Sequence, residues 1–403
     1  EKLILKDGIF IGFVSLSEYF FDSDLDVNIL GHIFEQSISD IEEMKAGLEG
    51  EITDKKKSKR KKDGIYYTPS YITEYIVEEA VGNWLEDNPD GLKNIKILDP
   101  AGGSGAFPNQ VHSYLAKKTA DLENQEAIED GLETLAYQDA STIDKSILNN
   151  NIFMVDLQPE SVEIAKLSLW LKTARKDQKL NNLDGNVKVG NSLIDDPELA
   201  GDKAFDWNKE FEEVIESGGF DVIVGNPPYV TLSLGKKQDK IDPNVLEYYK
   251  SKFINSLEYK GNTYALFIEQ GFNLLKLGGF LSFIVPNTLL LTSSFAKLRK
   301  FLLQNTTIIS IVNLKYEVFP DADTGGTTVF VFKKDIARKG HKINIIEISE
   351  EENISQIKDR ANFESLEQHE FLNIPKYKFI SDVSFYNFLK KISEDTDKLE
   401  NLG

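Results

Sequence analysis

The chain has 403 residues, 66 acidic against 46 basic side chains for a net charge of −20, and no cysteine. That length holds two or three domains and buries a large core without staples. Lack of thiols excludes disulfides, thiolate metal sites and cysteine nucleophiles, and fits a reducing prokaryotic cytoplasm. The acidity excludes attraction to nucleic acid through overall charge, leaving local basic surfaces that act within about one Debye length, roughly 8–10 Å. No apolar run approaches the roughly 20 residues that span a bilayer, and the opening EKLILKDGIF lacks a signal-peptide layout. Because the first residue is Glu1 rather than Met, the chain is expected to be cut from a longer protein.

Three parts follow in chain order. Residues 1–62 read as a helical segment, with Ile29, Leu30, Ile33, Phe34, Ile38 and Ile41 at helical spacing. The segment ends in a basic run, Lys55, Lys56, Lys57, Lys59, Arg60, Lys61 and Lys62. That run reads first as a solvated linker, with a phosphate-contacting loop as the alternative. Glu43-Met44-Lys45 has the acid-x-Lys spacing of restriction nucleases. No acid-bearing strand precedes it, so it reads as part of a helix.

Residues 63–335 alternate strand-like and helix-like runs. Strands are expected at Ile95–Leu98, Asn151–Val155, Val187–Val189, Phe220–Val224, Phe280–Val285, Ile308–Val312 and Thr327–Phe332, and helices at Ala106–Thr119, Pro159–Leu171, Thr263–Leu277 and Ser294–Leu303. This rhythm predicts an α/β fold: a mostly parallel, Rossmann-like sheet with helices on both faces. Residues 336–403 add a strand-like Ile343–Ile348 and a helix-like Ser381–Ile392. They read as a connector and the possible start of a truncated domain.

Three motifs carry chemistry. In Ile97-Leu98-Asp99-Pro100-Ala101-Gly102-Gly103-Ser104-Gly105 a strand ends in a carboxylate, a glycine-rich turn follows and a helix begins. Glycines allow close backbone approach and positive φ, and the helix start offers free N–H groups. The third glycine of the dinucleotide fingerprint is missing. Asp99 inside the turn suits a ligand with a cationic amino group, such as the methionine moiety of S-adenosylmethionine. The second motif, Asn151-Ile152-Phe153-Met154-Val155-Asp156-Leu157, places a carboxylate where it can accept both ribose hydroxyls of an adenosine cofactor. Its distance from Gly105 exceeds the usual gap of about 20 residues, and a helical insertion around 121–148 accounts for the excess.

The third motif is Asn226-Pro227-Pro228-Tyr229 after the buried-strand pattern Phe220–Val224. Two prolines remove two backbone donors and stiffen the turn. An amino group awaiting methylation needs acceptors around it. The Asn226 side-chain oxygen and the Pro227 carbonyl can accept its two N–H groups, while Tyr229 stacks on a planar base. A metal is not required, and the four histidines at 32, 112, 341 and 369 read as structural or surface residues.

With these motifs in this order, the chain resembles the gamma class of adenine-N6 DNA methyltransferases over about residues 30–335. Tyr66-Tyr67-Thr68-Pro69 resembles the class's upstream cofactor motif, and Gly190-Asn191-Ser192-Leu193 the loop that brackets the cofactor's adenine. Tyr264–Pro286 resembles the helix–strand pair that follows, and Val318-Phe319-Pro320 the loop whose aromatic packs on the target base. The lead-in, linker and tail further resemble Type IIG restriction–modification proteins, which fuse nuclease, methylase and target-recognition domains. The resemblance implies a site-specific enzyme that methylates a flipped adenine in double-stranded DNA from S-adenosylmethionine. Tyr67, Thr68, Pro69, Asp99, Pro100, Ala101, Gly103, Gly105, Asp156, Leu157, Asn191 and Ser192 would bind the cofactor. Asn226, Pro227, Pro228 and Tyr229 would be catalytic, and Tyr229 and Phe319 would sandwich the base. Gly102, Pro108 and Asn191 depart from the family's common Cys, Leu and Asp. Two other expectations are compatible with an Asn-Pro-Pro-Tyr turn: methylation of protein glutamine or of guanine in RNA, and an inactive DNA-binding scaffold. The stretch 230–261 after the turn reads equally as a lid or DNA flap and as a surface excursion.

Overall fold

The structure, a computed structural model, describes residues 68–129, 140–173, 182–232, 241–257, 261–319, 325–349 and 364–395. The expected N-terminal helices, the basic run and Glu43-Met44-Lys45 lie outside the described residues, as do Tyr66 and Tyr67.

Helix α1 (Ser70–Asp87) leads into strand β1 (Ile97–Asp99). Then come α2 (Ala106–Glu129), α3 (Ala140–Asn150), β2 (Ile152–Asp156), α4 (Pro159–Thr173), β3 (Val187–Val189) and β4 (Phe220–Gly225). After β4 come the short β5 (Thr231–Leu232), α5 (Pro243–Lys252), the short β6 (Gly261–Asn262), α6 (Thr263–Leu274) and β7 (Leu275–Pro286). The chain continues through α7 (Ala296–Asn305), β8 (Thr307–Leu314), β9 (Thr327–Lys333), β10 (Lys342–Ile348), β11 (Glu364–Glu367) and α8 (Val383–Asp395).

Nine of these strands form one sheet in the order β11-β10-β8-β9-β7-β4-β1-β2-β3. Neighbours are parallel except where β9 runs antiparallel between β7 and β8, and where β11 runs antiparallel to β10. The sheet therefore crosses the 335/336 boundary expected from sequence, because Asn344–Ile348 pair in register with Ser310–Leu314.

Side chains of successive strand residues point to opposite faces, and each face builds its own core. An irregularity between Phe220 and Val222 breaks the alternation there, so Phe220 and Ile223 of β4 both join Phe153, Phe211, Phe253 and Phe267 on one side. Val222 and Val224 join Ile76, Val111 and Leu169 from α1, α2 and α4 on the other. Every residue of β4 is buried, which explains why its sequence is continuously apolar around Asp221. That acid is held at the strand's start by Lys276 at 3.1 Å and by the Lys96 backbone N–H at 2.7 Å.

Two expected boundaries move. The helix drawn from Thr263 to Leu277 stops at Leu274, because Leu275 pairs with Phe220 and opens β7. The helix drawn from Ala106 to Thr119 runs on to Glu129. With α3 it supplies the helical insertion expected between the glycine-rich turn and Asp156.

Candidate active site

In open α/β sheets ligands bind outside the carboxyl ends of the strands, near the point where strand order reverses. Here β1 lies between β4 and β2, and the three motifs sit at the carboxyl ends of those three strands.

The glycine-rich turn leaves β1 at Asp99, which is 2% exposed. One carboxylate oxygen, Oδ1, accepts the Ala101 backbone N–H at 3.1 Å. The other, Oδ2, is buried and has no partner among the described residues. Burial pushes this carboxyl up to about 8; the Ala101 N–H pulls the other way, and the nearby charge of Asp156 adds to the rise. A buried carboxylate with an unused oxygen is costly unless a cation or donor reaches it. The residues present therefore fit a ligand with an ammonium group.

Close packing explains the glycines. Gly103 and Gly105 take φ values of 53° and 92°, which side-chain-bearing residues rarely adopt. A Cβ at Gly105 would meet Ala165 of α4 at 2.9 Å, so the turn also seats against a helix. Gly102, where the resembled family commonly has Cys, lies over Met154; a Cβ there would approach Met154 Cγ at 2.5 Å. The long thioether of β2 takes the space a larger turn residue would need.

Asp156 closes the turn from β2. Its Oδ2 accepts the Gly103 N–H at 2.9 Å and its Oδ1 accepts the Gln158 N–H at 2.8 Å. Burial raises this carboxyl, while those two N–H groups and Lys203 lower it. Leu157 beside it is 42% exposed, an apolar surface at the lip of the site. Asn191 folds back on its own loop, its Oδ1 accepting the Leu193 N–H at 3.1 Å. Ser192 donates its hydroxyl to the Pro100 carbonyl at 2.6 Å. It thereby ties the loop after β3 to the glycine-rich turn.

The Asn-Pro-Pro-Tyr turn leaves β4 through Gly225, where a Cβ would lie 2.9 Å from Asp99 Oδ1. Glycine is what lets the two motifs sit side by side. Asn226 donates its amide N–H to Thr68 Oγ1 at 3.1 Å. Its Oδ1 accepts the Tyr229 hydroxyl at 2.5 Å, and that hydroxyl also lies 3.2 Å from the Ile284 carbonyl. Pro69, expected in the cofactor site, receives the first N–H groups of α1 on its carbonyl. Thr68-Pro69 therefore joins the start of α1 directly to the Asn-Pro-Pro-Tyr turn. Phe319 is buried, and its ring meets Tyr229 at 6.1 Å and 67°. The expected sandwich needs parallel faces; here the two rings pack edge to face instead.

Thr263 escaped the sequence reading. Its hydroxyl donates to the Pro228 carbonyl and accepts the Val230 N–H at 3.0 Å, while its own N–H reaches the Val230 carbonyl at 2.9 Å. It holds the far side of the Asn-Pro-Pro-Tyr turn, where the antiparallel pairing of β5 with β6 brings it. That pairing also closes the base of the 230–261 excursion. Its helix α5 is tied to the loop after β3 by Asp195, which takes bonds from Tyr248 at 2.5 Å and Lys252 at 2.9 Å.

Residues 150–319 match the model of the Eco57I restriction-modification methylase family. The chain is 27% identical over 321 residues to the Type II restriction enzyme and methyltransferase RM.Eco57I of Escherichia coli, covering 76% of this chain and 31% of that protein. It is 23% identical over 418 residues to the adenine-specific methyltransferase BrxX of Escherichia coli O9:H4 (strain HS), covering 77% and 34%. The chain thus spans about a third of the length of each. Among solved structures, the DrdV–DNA complex superposes with a TM-score of 0.57 at 18% identity, over 80% of this chain and 32% of that one. That likeness establishes the fold. In its sheet and over residues 150–319 the chain is thus similar to restriction–modification methylases of the Eco57I type.

Proposed function

We propose that the chain transfers a methyl group from S-adenosylmethionine to the exocyclic N6 of adenine in double-stranded DNA, as the methylase part of a longer restriction–modification protein. The observation that carries this reading is the junction of Asp99 and Asn226 across Gly225. The buried, unpartnered carboxylate oxygen offers an anchor for the ammonium of the cofactor. The donor-poor turn beside it offers acceptors for an amino group. Asp156 would take the ribose hydroxyls, Leu157 and Asn191 would border the adenine, and Ala101, Gly103 and Gly105 would let the backbone approach the methionine portion.

Adenine N6 is hidden in a duplex, so the base must leave the stack at a cost of a few kcal/mol. Asn226 Oδ1, like any amide oxygen, has two acceptor lone pairs, and the Tyr229 hydroxyl donates to it. With the Pro227 carbonyl it would receive the two amino hydrogens and turn the nitrogen lone pair out of the ring plane. Pro228 contributes no competing N–H. Bound S-adenosylmethionine supplies an electrophilic methyl on a sulfonium. N6, held by Asn226 and Pro227, would take that methyl, the displaced thioether would keep the bonding pair, and one amino proton would pass to water. The protein's part is positioning and electrostatic preparation. For a base to lie against Tyr229, the Phe319 ring must swing from its edge-on position to a parallel one.

Methyl transfer tests the reading. The chain is incubated with labelled S-adenosylmethionine and duplex DNA, RNA or protein, and the digested product is identified by mass spectrometry. The expected product is N6-methyladenine from DNA, lost in Asn226→Ala. Label on glutamine or guanine, with none on adenine, would refute the substrate.

A further inference from the structure

Beyond the methyl-transfer centre, a groove of about 550 Å³ opens between the start of α7 and residues 372–377. We infer that this groove binds the sugar–phosphate backbone of the DNA strand whose base is flipped; the inference rests on the DNA reading above.

Its lining is basic. Lys297, Lys300 and Lys376 face it, and among the described residues no Asp or Glu lines it. Among the described residues none of the three is paired with a carboxylate. In a chain of net charge −20, three uncompensated lysines in one concave surface set up a local field opposite to that of the whole.

A second observation is independent of the lysines. Ala296 and Lys297, the first residues of the ten-residue helix α7, line the same groove. The position before them, Phe295, provides no side-chain cap. The positive dipole end of α7 therefore faces the groove, while the Ala296 N–H is taken by the Ser293 carbonyl of the turn before it.

The opposite wall is held in place from within. Arg299 is wholly buried and donates to the carbonyls of Leu289, Thr292, Lys376 and Tyr377 at 2.7–2.9 Å. Lys376 and Tyr377 have φ values of 62° and 54°, a left-handed pair that costs energy. The buried guanidinium fixes the Lys376 backbone in that conformation, which presents its side chain to the groove. The Lys300 ammonium lies 5.6 Å from the centre of the Tyr377 ring, joining the two walls.

Position favours nucleic-acid backbone over a free anion. The Tyr229 ring packs on Tyr264 at 6.2 Å, and Tyr264 on Phe295 at 5.3 Å. Phe295 is the residue from which α7 starts. Through the buried rings of Tyr264 and Phe295 the start of α7, which lines the groove, is packed onto the Tyr229 of the Asn-Pro-Pro-Tyr turn.

The test is duplex binding as a function of salt, by fluorescence anisotropy with labelled DNA, for the parent chain, Lys297→Gln/Lys300→Gln and Lys376→Gln. Each phosphate deprived of its lysine lowers the slope of log affinity against log salt by about 0.9. The double variant is expected to show a slope smaller by about two units, the single variant by about one, and both should weaken binding at least about tenfold at low salt. S-adenosylmethionine binding by each variant is expected to match the parent, which establishes that the fold is intact. A parent that binds duplex, with variants of equal slope and affinity, would overturn the groove and leave the DNA reading standing. A parent that binds no duplex at any salt overturns both.

Discussion

Asn226 and Thr68 are joined by a hydrogen bond of 3.1 Å, from the amide N–H of one to the hydroxyl oxygen of the other. This bond decides which end of the amide faces the substrate. With Nδ2 held by Thr68, Oδ1 is turned toward Tyr229 and the space beside it. An amide rotated by half a turn would offer donors to an amino group and repel it. Thr68 is expected among the cofactor residues, and its bond to Asn226 leads us to propose that it also positions that amide.

Thr68→Val is therefore expected to lower kcat for methyl transfer about 3- to 10-fold, the equivalent of one modest hydrogen bond. KM for S-adenosylmethionine should change little, and Thr68→Ser should restore the rate. Steady-state kinetics with both substrates varied would read the split. A raised cofactor KM at unchanged kcat would return Thr68 to the cofactor site.

The Asp99 carboxyl gives a pH prediction. Its value rises from 3.8 in the unfolded chain to about 8 in the folded one, chiefly through burial. Between those values the folded state holds a proton that the unfolded state has released, so this group's contribution to stability falls as pH rises from about 4 to about 8. Melting temperature should show that downward slope, and Asp99→Asn should flatten it. A bound cation favours the ionised carboxylate, so cofactor binding at pH 7 should release a proton. Calorimetric titration in two buffers of different ionisation enthalpy measures that release; an equal heat in both would contradict it.

Tyr229→Phe separates the ring from the hydroxyl. The ring stays against Phe319 and Tyr264, but the bond that orders Asn226 Oδ1 is lost. A fall in kcat of about fivefold is expected from one hydrogen bond of about 1 kcal/mol. Tyr229→Ala also removes the stacking surface, a loss expected to add about 1–3 kcal/mol and to appear in DNA binding. Equal kinetics for both variants would assign the whole effect to the hydroxyl.

Arg299→Met would remove the donor of four carbonyls, all bonded to a side chain that is itself fully buried. Losing partners of a buried charged donor costs about 3 kcal/mol or more. Chemical denaturation should show a midpoint shift of that size. The 372–377 segment should open to hydrogen exchange before the sheet does.

Much of this protein is legible in its sequence because the signals are local. Phe220–Val224 had to be a buried strand, since it is apolar at every position but Asp221. The glycines after Asp99 had to make a close turn, since positive φ favours glycine. Asn-Pro-Pro-Tyr had to be poor in donors, since proline has none. Lateral order and pairing are set by interactions between distant parts of the chain, and these carry no local mark. Ile343–Ile348 could be drawn as a strand, but only its register with Ser310–Leu314 makes it part of the main sheet across the expected boundary at 335. The helix drawn to Leu277 had to yield at Leu274, because pairing with Phe220 outweighed helical propensity. Thr68 and Thr263 are ordinary hydroxyl residues in sequence; they acquire their roles from partners that folding delivers, Asn226 for one and the Pro228 carbonyl for the other. Side-chain chemistry and backbone preference act over a few residues, so the elements and the reactive groups can be read from the order of the residues. Hydrogen bonds and burial act over ångströms in space, so folding settles which groups meet, which carboxylate oxygen is left without a partner among the described residues, and which way the Asn226 amide faces.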